Sequence, residues 1–165
     1  PLPTFEGDNT VMMQQASRYL IKMIKKAQKG QDLPEPFSYI FRYPQHKLMN
    51  MRCSAKVPED FLDINLLDEA MGVNTSFCIN TTIKALFESP APHKSKMNEL
   101  FAEEINVMTK SHFKYICLRV FKIRINAAQF KDEFIRPVLN LVAMVYALDE
   151  LVSDCAGCLV SGYFS

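Results

Sequence analysis

A short segment near the start of the chain combines a carboxylate, a turn and a helix start. Glu6 and Gly7 precede a long stretch with helical apolar spacing, and Asp8 or Asn9 can cap that helix. Glu6 would then lie near the positive end of the helix dipole, while Gly7 permits a backbone conformation that other residues avoid. A carboxylate held in this way can act as a general base. The alternative is that Glu6 only stabilises the helix N-terminus.

Cysteines and histidines are the next residues that could carry chemistry. Cys155 and Cys158 form a C-x-x-C pattern, which can be redox-active or supply half of a zinc site. No second cysteine pair or nearby histidine completes four ligands, so we predict buried thiols. His46, His93 and His112 share no metal-ligand spacing, and we predict no metal site. His112 falls on an apolar seam and is expected at the core or its edge.

A basic stretch late in the chain is a possible anion site. Its cations are Lys110, Lys114, Arg119, Lys122 and Arg124. They could contact the phosphates of a ligand or a partner protein. A solvated helix face, with charge balanced by Glu99, Glu103 and Glu104, is the favoured interpretation.

The elements that must position these residues all have helical patterns. Three-and-four spacing of apolar residues predicts a helix over 9–29, which Gly30 ends, and further helices over 61–89, 97–126 and 130–160. A break near Gly72 is possible, and Pro137 is tolerated near the start of its helix. Four prolines mark 30–60 as a connection, and its aromatic residues should pin it to a surface. We therefore predict an all-α helical bundle.

Composition limits the class of protein further. Of the 165 residues, 48% are hydrophobic and 22% charged, as in one ordinary folded domain. No segment has the length and apolarity of a membrane span, and the N-terminus lacks a signal-peptide pattern. The net charge of +1 favours neither nucleic acid nor an anionic membrane as partner. Five cysteines, an odd number, fit free thiols in a reducing compartment.

One dense motif gives the chain a resemblance. Residues 4–22 read T-F-E-G-D-N-T-V-M-M-Q-Q-A-S-R-Y-L-I-K. This stretch resembles the acyl-CoA oxidase family, whose pattern is close to T-Y-E-G-[DE]-N-T-V-[ML]-x-Q-x-A-R-[YF]-L-x-K. A weaker similarity continues through the later helices to 141–162. The resemblance implies an all-α C-terminal domain of the acyl-CoA dehydrogenase/oxidase type.

The resemblance also implies a reaction and a site. Acyl-CoA oxidases are FAD-dependent: a carboxylate removes the α-proton of a fatty acyl-CoA, the β-hydride passes to FAD, and O2 reoxidises the flavin to give H2O2. By position Glu6 is that base, and Asn9 and Thr10 are expected near the flavin. Fatty acyl-CoA is then the substrate of the parent protein, and the basic stretch could meet CoA phosphates. Peroxisomal location is implied by the family alone.

This chain departs from the family pattern in two respects. Phe5 stands where the family usually has Tyr, which removes a hydroxyl but keeps the ring. Family members carry several hundred further residues before the motif, and often end in a Ser-Lys-Leu-like signal. We therefore expect a C-terminal or internal fragment, or a shortened member, that is inactive alone. The alternatives are a non-enzymatic interaction or dimerisation module and, less favoured, an unrelated helical adaptor.

The expected organisation follows from the same resemblance. Residues 1–29 would form the catalytic turn and the last helix of the flavin-binding bundle, 30–60 the connection, and 61–165 the C-terminal helical domain. On the first helix, an apolar stripe including Met12, Tyr19 and Met23 should be covered by partners or by another copy. We therefore expect a homodimer.

Overall fold

The chain folds into packed helices. The computed structural model describes residues 10–132 and 134–165, and every regular element in those ranges is helical, which confirms the all-α prediction. The α-helices are α1 (Thr10–Gln28), α2 (Tyr39–Arg42), α3 (Gln45–Leu48), α4 (Ile64–Glu88), α5 (His93–Ser95), α6 (Ala102–Ala127), α7 (Ile135–Ser153) and α8 (Ala156–Val160). A 3₁₀ turn at Pro58–Leu62 precedes α4, and a π turn at Lys96–Leu100 precedes α6. No described helix has the length and apolarity needed to cross a membrane.

Helix α1 ends where the sequence predicts. Lys25 and Lys26 lie in its last turn, where their charge opposes the helix dipole. Gly30 then adopts φ of 68°, and its N–H donates to the carbonyl of Ala27 at 2.9 Å. Only glycine takes this left-handed conformation without a steric cost, so Gly30 ends the helix.

Helix α4 is continuous through Gly72, so the possible break at this glycine does not occur. A Cβ atom at Gly72 would lie 2.5 Å from Cε2 of Tyr43 and 2.8 Å from the hydroxyl oxygen of Tyr115. The glycine is therefore needed for two tyrosines to approach the helix backbone, not for a turn. At the N-terminus, Asp63 accepts the N–H of Asn65 at 2.8 Å and caps the helix.

Helix α4 lies at the centre of the bundle. It packs against α6, α7 and α8, and α6 also packs against α1 and α7. The side chains of Leu67, Val73, Met108, Leu118 and Ala143 are fully buried where these helices meet. The π turn at Lys96–Leu100 delays the start of α6 beyond the predicted position, yet α6, with 26 residues, is still the longest described helix.

The predicted apolar helix over 130–160 is two helices. Helix α7 ends at Ser153, and α8 begins at Ala156. The side chain of Asp154, in the break, accepts the N–H of Ala156 at 3.3 Å. Pro137 lies in the first turn of α7, where its missing N–H costs no helical hydrogen bond.

The connection after α1 is pinned to the bundle, as its aromatic residues predict. Its α-helices are the two single turns α2 and α3, and the 3₁₀ turn at Pro58–Leu62 follows them. Tyr39, Tyr43 and Leu48 in this segment are each at most 3% exposed. Their burial fixes the path of the chain between α1 and α4.

Candidate functional site

The predicted catalytic turn lies at the edge of the described structure. Glu6 and Asn9 fall outside the described residues, so their placement stays a prediction. Thr10 is the first residue of α1. The helix that would carry the turn is therefore described, and its attachment to the bundle can be examined.

Helix α1 is attached through its second half. Leu20, Met23 and Ile24 are buried, and the helix packs against α6 and α2. Met23 is thus covered by this chain itself, so the expectation that it needs a partner is wrong. Met12 and Tyr19 remain 43% and 48% exposed, although the ring of Tyr19 makes an edge contact with Phe37 at 5.5 Å.

A buried aromatic cluster holds the connection beneath α1. The hydroxyl of Tyr39 and Nδ1 of His112 share a hydrogen bond at 2.6 Å, and Phe37 stacks on the His112 ring at 5.1 Å. Burial lowers the pKa of His112 to about 4 and raises the pKa of Tyr39, so both side chains are neutral at pH 7. His112 is a core residue, as its place on the apolar seam predicts.

Arg119 ties the same connection to α6. Its Nη2 donates to Oε2 of Glu35 at 3.2 Å and to Oγ of Ser38 at 3.3 Å, and its guanidinium lies 5.8 Å from the centre of the Tyr115 ring. A hydrogen bond from Ser38, then the charge of Arg119, lower the pKa of Glu35. The expected solvated position of Arg119 is therefore wrong: the residue is 8% exposed.

The other cations of the basic stretch use partners that sequence did not indicate. Nζ of Lys114 lies 2.5 Å from Oε2 of Glu150 on α7, and Nζ of Lys122 lies 3.0 Å from Oδ2 of Asp68 on α4. Lys110 and Arg124 are exposed. The predicted balance by Glu99, Glu103 and Glu104 is absent from the ion pairs of the described residues. The stretch therefore joins helices and offers few free cations for an anion.

The C-x-x-C pattern spans the start of α8 and has unequal thiols. Cys158 is fully buried, its Sγ donates to the carbonyl of Ala70 at 3.2 Å, and burial raises its pKa to about 12. Cys155 is half-buried. The described residues hold no group of three or more acidic, cysteine or histidine side chains suited to a metal ion. The buried-thiol interpretation holds for Cys158 and in part for Cys155.

Asn74 is a structural residue that sequence reasoning missed. From the middle of α4, its Oδ1 accepts the N–H groups of Gly157 at 2.8 Å and Cys158 at 3.3 Å, and its Nδ2 donates to the carbonyl of Asp154 at 2.9 Å. One side chain thereby satisfies three backbone groups at the break between α7 and α8. The available signal was an amide beside Gly72 and Val73 in the middle of a mostly apolar helix.

Comparison with curated proteins gives consistent relatives. The chain is 28% identical over 153 residues to peroxisomal acyl-coenzyme A oxidase 1 of Mus musculus, covering 90% of this chain and 22% of that protein. It is 26% identical over 167 residues to the Homo sapiens protein of the same name, covering 98% and 24%. The chain thus spans about a quarter of the length of these relatives. None of the protein-family models searched matches it.

Solved structures show the same fold. An acyl-CoA oxidase from tomato, Lycopersicon esculentum, superposes with a TM-score of 0.85 at 23% identity, over 98% of this chain and 24% of that one. Acyl-CoA oxidase 1 of Arabidopsis thaliana gives a TM-score of 0.82 at 22% identity, over 96% and 23%. In sequence over most of its length, and in fold, this chain is similar to the C-terminal helical region of the peroxisomal acyl-CoA oxidase family.

Proposed function

We propose that this chain is the C-terminal helical portion of an FAD-dependent acyl-CoA oxidase of fatty-acid β-oxidation. The parent protein would convert a fatty acyl-CoA to the trans-2-enoyl-CoA and reduce O2 to H2O2. The observation that carries the proposal is the similarity to peroxisomal acyl-coenzyme A oxidase 1 over 90% or more of the chain. The dense motif at 4–22, which runs into α1, is the most specific part of this similarity.

In this proposal Glu6 is the base that removes the α-proton of the acyl thioester. The proton next to a thioester carbonyl is only weakly acidic, so the carboxylate must be aimed at one carbon in a site that excludes water. Helix α1, which follows the turn in sequence, is anchored to the bundle by Leu20, Met23 and Ile24 in its second half. In the proposal this helix carries the turn, and Glu6 is the proton acceptor.

Asn9 and Thr10 are proposed to lie against FAD. The first turn of α1 contains no acidic residue, so no carboxylate within the helix offsets the partial positive charge of its free N–H groups. Such a helix start suits the electron-rich edge of a flavin ring. When bound in the parent protein, FAD supplies the acceptor for the hydride that leaves the β-carbon.

Organisation and location belong to the same proposal. Residues 1–29 would complete the flavin-binding bundle, and residues 61–165 would form the C-terminal domain. Residues 30–60 would connect the two. Alone, the chain offers one helix end to a large dinucleotide, and so few contacts would not offset the cost of association. We therefore propose that the chain alone neither binds FAD nor oxidises acyl-CoA. Peroxisomal location is proposed because the curated relatives are peroxisomal acyl-coenzyme A oxidases by name.

The test replaces Glu6 in the parent protein. Glu6→Gln keeps the shape of the side chain but cannot accept the proton, so anaerobic reduction of the flavin by a long-chain acyl-CoA should slow by about 10²–10⁴-fold. Substrate binding and the melting temperature should change little. Asp8→Asn is the matched control, because it neutralises a carboxylate in the same turn and should leave flavin reduction unchanged. Normal flavin reduction with a lowered melting temperature would make Glu6 a structural residue.

A second candidate function, a dimerisation module, is favoured by the outer face of α7. We define this outer α7 face by its exposed side chains: Phe134, Ile135, Val138, Leu141, Val142 and Val145. The helix has 19 residues, about 28 Å in length, and these apolar side chains lie on one side of its N-terminal half. Between Val138 and Val152, Asp149 is the one exposed charged residue of the helix. A second copy would thus meet little charge repulsion, and we propose that it covers this face.

A further inference from the structure

An apolar pocket with two thiols in its walls is lined by no residue of α1. The pocket has a volume of about 590 Å³ and opens where the connection meets the corner between α7 and α8. Phe61, Leu148, Leu151 and Phe164 supply apolar walls, and the half-buried thiols of Cys53 and Cys155 line the same space. Its volume and apolar lining are those of small-molecule sites, which usually add one or two polar groups for orientation.

The walls of this pocket are fixed by contacts between distant parts of the chain. The N–H of Cys53 donates to the carbonyl of Tyr163 at 2.7 Å, which holds the connection beside the last residues. The rings of Phe61 and Phe164 meet edge-on, with centroids 6.0 Å apart. The hydroxyl of Tyr163 donates to Oε1 of Glu69 on α4 at 2.7 Å. A pocket built on such contacts is present before any ligand binds.

A cation lies near Ser165, one of the residues that line the pocket. The position that a Cβ would take at Gly162 is 3.7 Å from Cζ and Nη2 of Arg52 and 3.7 Å from Oγ of Ser165, and Ser165 lines the pocket. Nη1 of Arg52 donates to the carbonyls of Met49 at 3.0 Å and Met51 at 2.7 Å, which orients the guanidinium. Among residues 10–132 and 134–165, no carboxylate forms an ion pair with Arg52.

We propose that this pocket binds an anionic amphiphile of the fatty-acid class, with the alkyl chain among the apolar walls and the carboxylate at Arg52 and Ser165. A guanidinium with free N–H groups is well suited to a carboxylate, and the pocket volume lies in the range of ligands of this size. No residue of α1 lines the site, and the proposal does not rest on the proposed oxidase activity.

Charge distinguishes this pocket from a second apolar one on the same chain. The second pocket, of about 360 Å³, lies between α4, α6 and α8 and is lined by Phe77, Cys78 and Val107 together with carboxylates. Those carboxylates are Glu103, Glu104 and Asp154. An anionic amphiphile should therefore avoid the second pocket and enter the first, although both are apolar. The alkylation rate of Cys78 therefore measures access to the second pocket, and the rates of Cys53 and Cys155 measure access to the first.

The test measures alkylation of each cysteine in the full chain by iodoacetamide, followed by peptide mass spectrometry. Sodium dodecanoate, below its micelle concentration, should slow modification of Cys53 and Cys155 at least fivefold. It should leave Cys78 and the exposed Cys117 at their own basal rates. Dodecyltrimethylammonium, which has the same chain length and the opposite charge, should not protect Cys53 or Cys155. Equal protection by both amphiphiles, or protection of all the cysteines, would overturn the proposal.

Two variants assign the binding to the pocket. Arg52→Gln should raise the dodecanoate concentration for half protection roughly tenfold. Arg124→Gln, which removes an exposed arginine at the end of α6, should leave that concentration unchanged. Ala55→Trp should fill the pocket and abolish protection. Should Ala55→Trp fail to fold, the comparison of the two arginine variants decides alone, and an equal effect of both would overturn the proposal.

Discussion

Oδ1 of Asn74, in the middle of α4, accepts the backbone N–H of Gly157 at 2.8 Å. The two residues lie so close together that no side chain would fit at position 157. A Cβ there would lie 2.7 Å from the carbonyl oxygen of Asn74. The two residues are 83 positions apart in sequence. This contact fixes α8, and with it Cys158, against the centre of the bundle.

Replacing Asn74 should therefore destabilise the chain. Asn74→Ala leaves two buried N–H groups and the carbonyl of Asp154 without their partner, so the free energy of unfolding should fall by about 2–3 kcal/mol. Urea denaturation followed by circular dichroism measures the change. The thiol of Cys158 should also become more reactive, because α8 would detach more often.

Asn80→Ala is the matched control for this prediction. Asn80 lies on the same helix, is half-buried, and makes no side-chain hydrogen bond with another described residue. Its removal should change the free energy of unfolding by no more than about 0.5 kcal/mol. A loss equal to that of Asn74→Ala would show that any amide on α4 matters equally, and would contradict the capping role.

The main helices could be predicted from sequence because each buries one face. The three-and-four spacing around Leu20, Met23 and Ile24 gave α1 nearly residue by residue, and Gly30 gave its end. The contacts inside the bundle were harder to predict from the sequence. Gly72 suggests a break by local propensity, but its contacts with Tyr43 and Tyr115 make it a close-approach residue inside a helix. Local propensity carries no information about such tertiary contacts.

The break between α7 and α8 was hidden for a related reason. The residues from Leu151 to Val160 are mostly apolar or small, and nothing local requires the helix to stop. The carbonyl and N–H groups exposed by the break are satisfied by Asn74, which only the fold brings near. The predicted site at Glu6 depends on the resemblance of 4–22, since a carboxylate before a helix is usually a stabilising residue.

Burial of His112 predicts a loss of stability in mild acid. The folded chain has a His112 pKa of about 4, against the ordinary histidine value of 6.5, so the unfolded chain binds the proton first as the pH falls. This contribution to stability is complete above about pH 6.5, falls between pH 6.5 and 4, and amounts to at most about 3 kcal/mol. Urea midpoints measured at intervals between pH 7 and 4.5 should decrease accordingly.

Two substitutions separate His112 from the other histidines. His112→Gln should lower the urea midpoint at pH 7, because the hydrogen bond to Tyr39 is altered, and should flatten its decrease between pH 6.5 and 4.5. His46→Gln, which removes an exposed histidine, should keep the full decrease. An unchanged slope in His112→Gln would show that other groups cause the acid sensitivity.

The outer α7 face predicts reversible self-association. Val145 is the last residue of this face and, at 67%, one of its most exposed side chains. In a symmetric pair each copy would bury its own Val145, so one substitution alters the interface twice. Val145→Lys places two like charges in an apolar contact and should raise the dimer dissociation constant by at least about 100-fold, measured by sedimentation equilibrium.

Val57→Lys is the control for this prediction. Val57 is the same residue type, lies on the connection at 50% exposure, and its substitution should leave the dissociation constant unchanged. A chain that stays monomeric at all concentrations, or an equal effect of both lysines, would contradict pairing through α7 and leave that face to another partner.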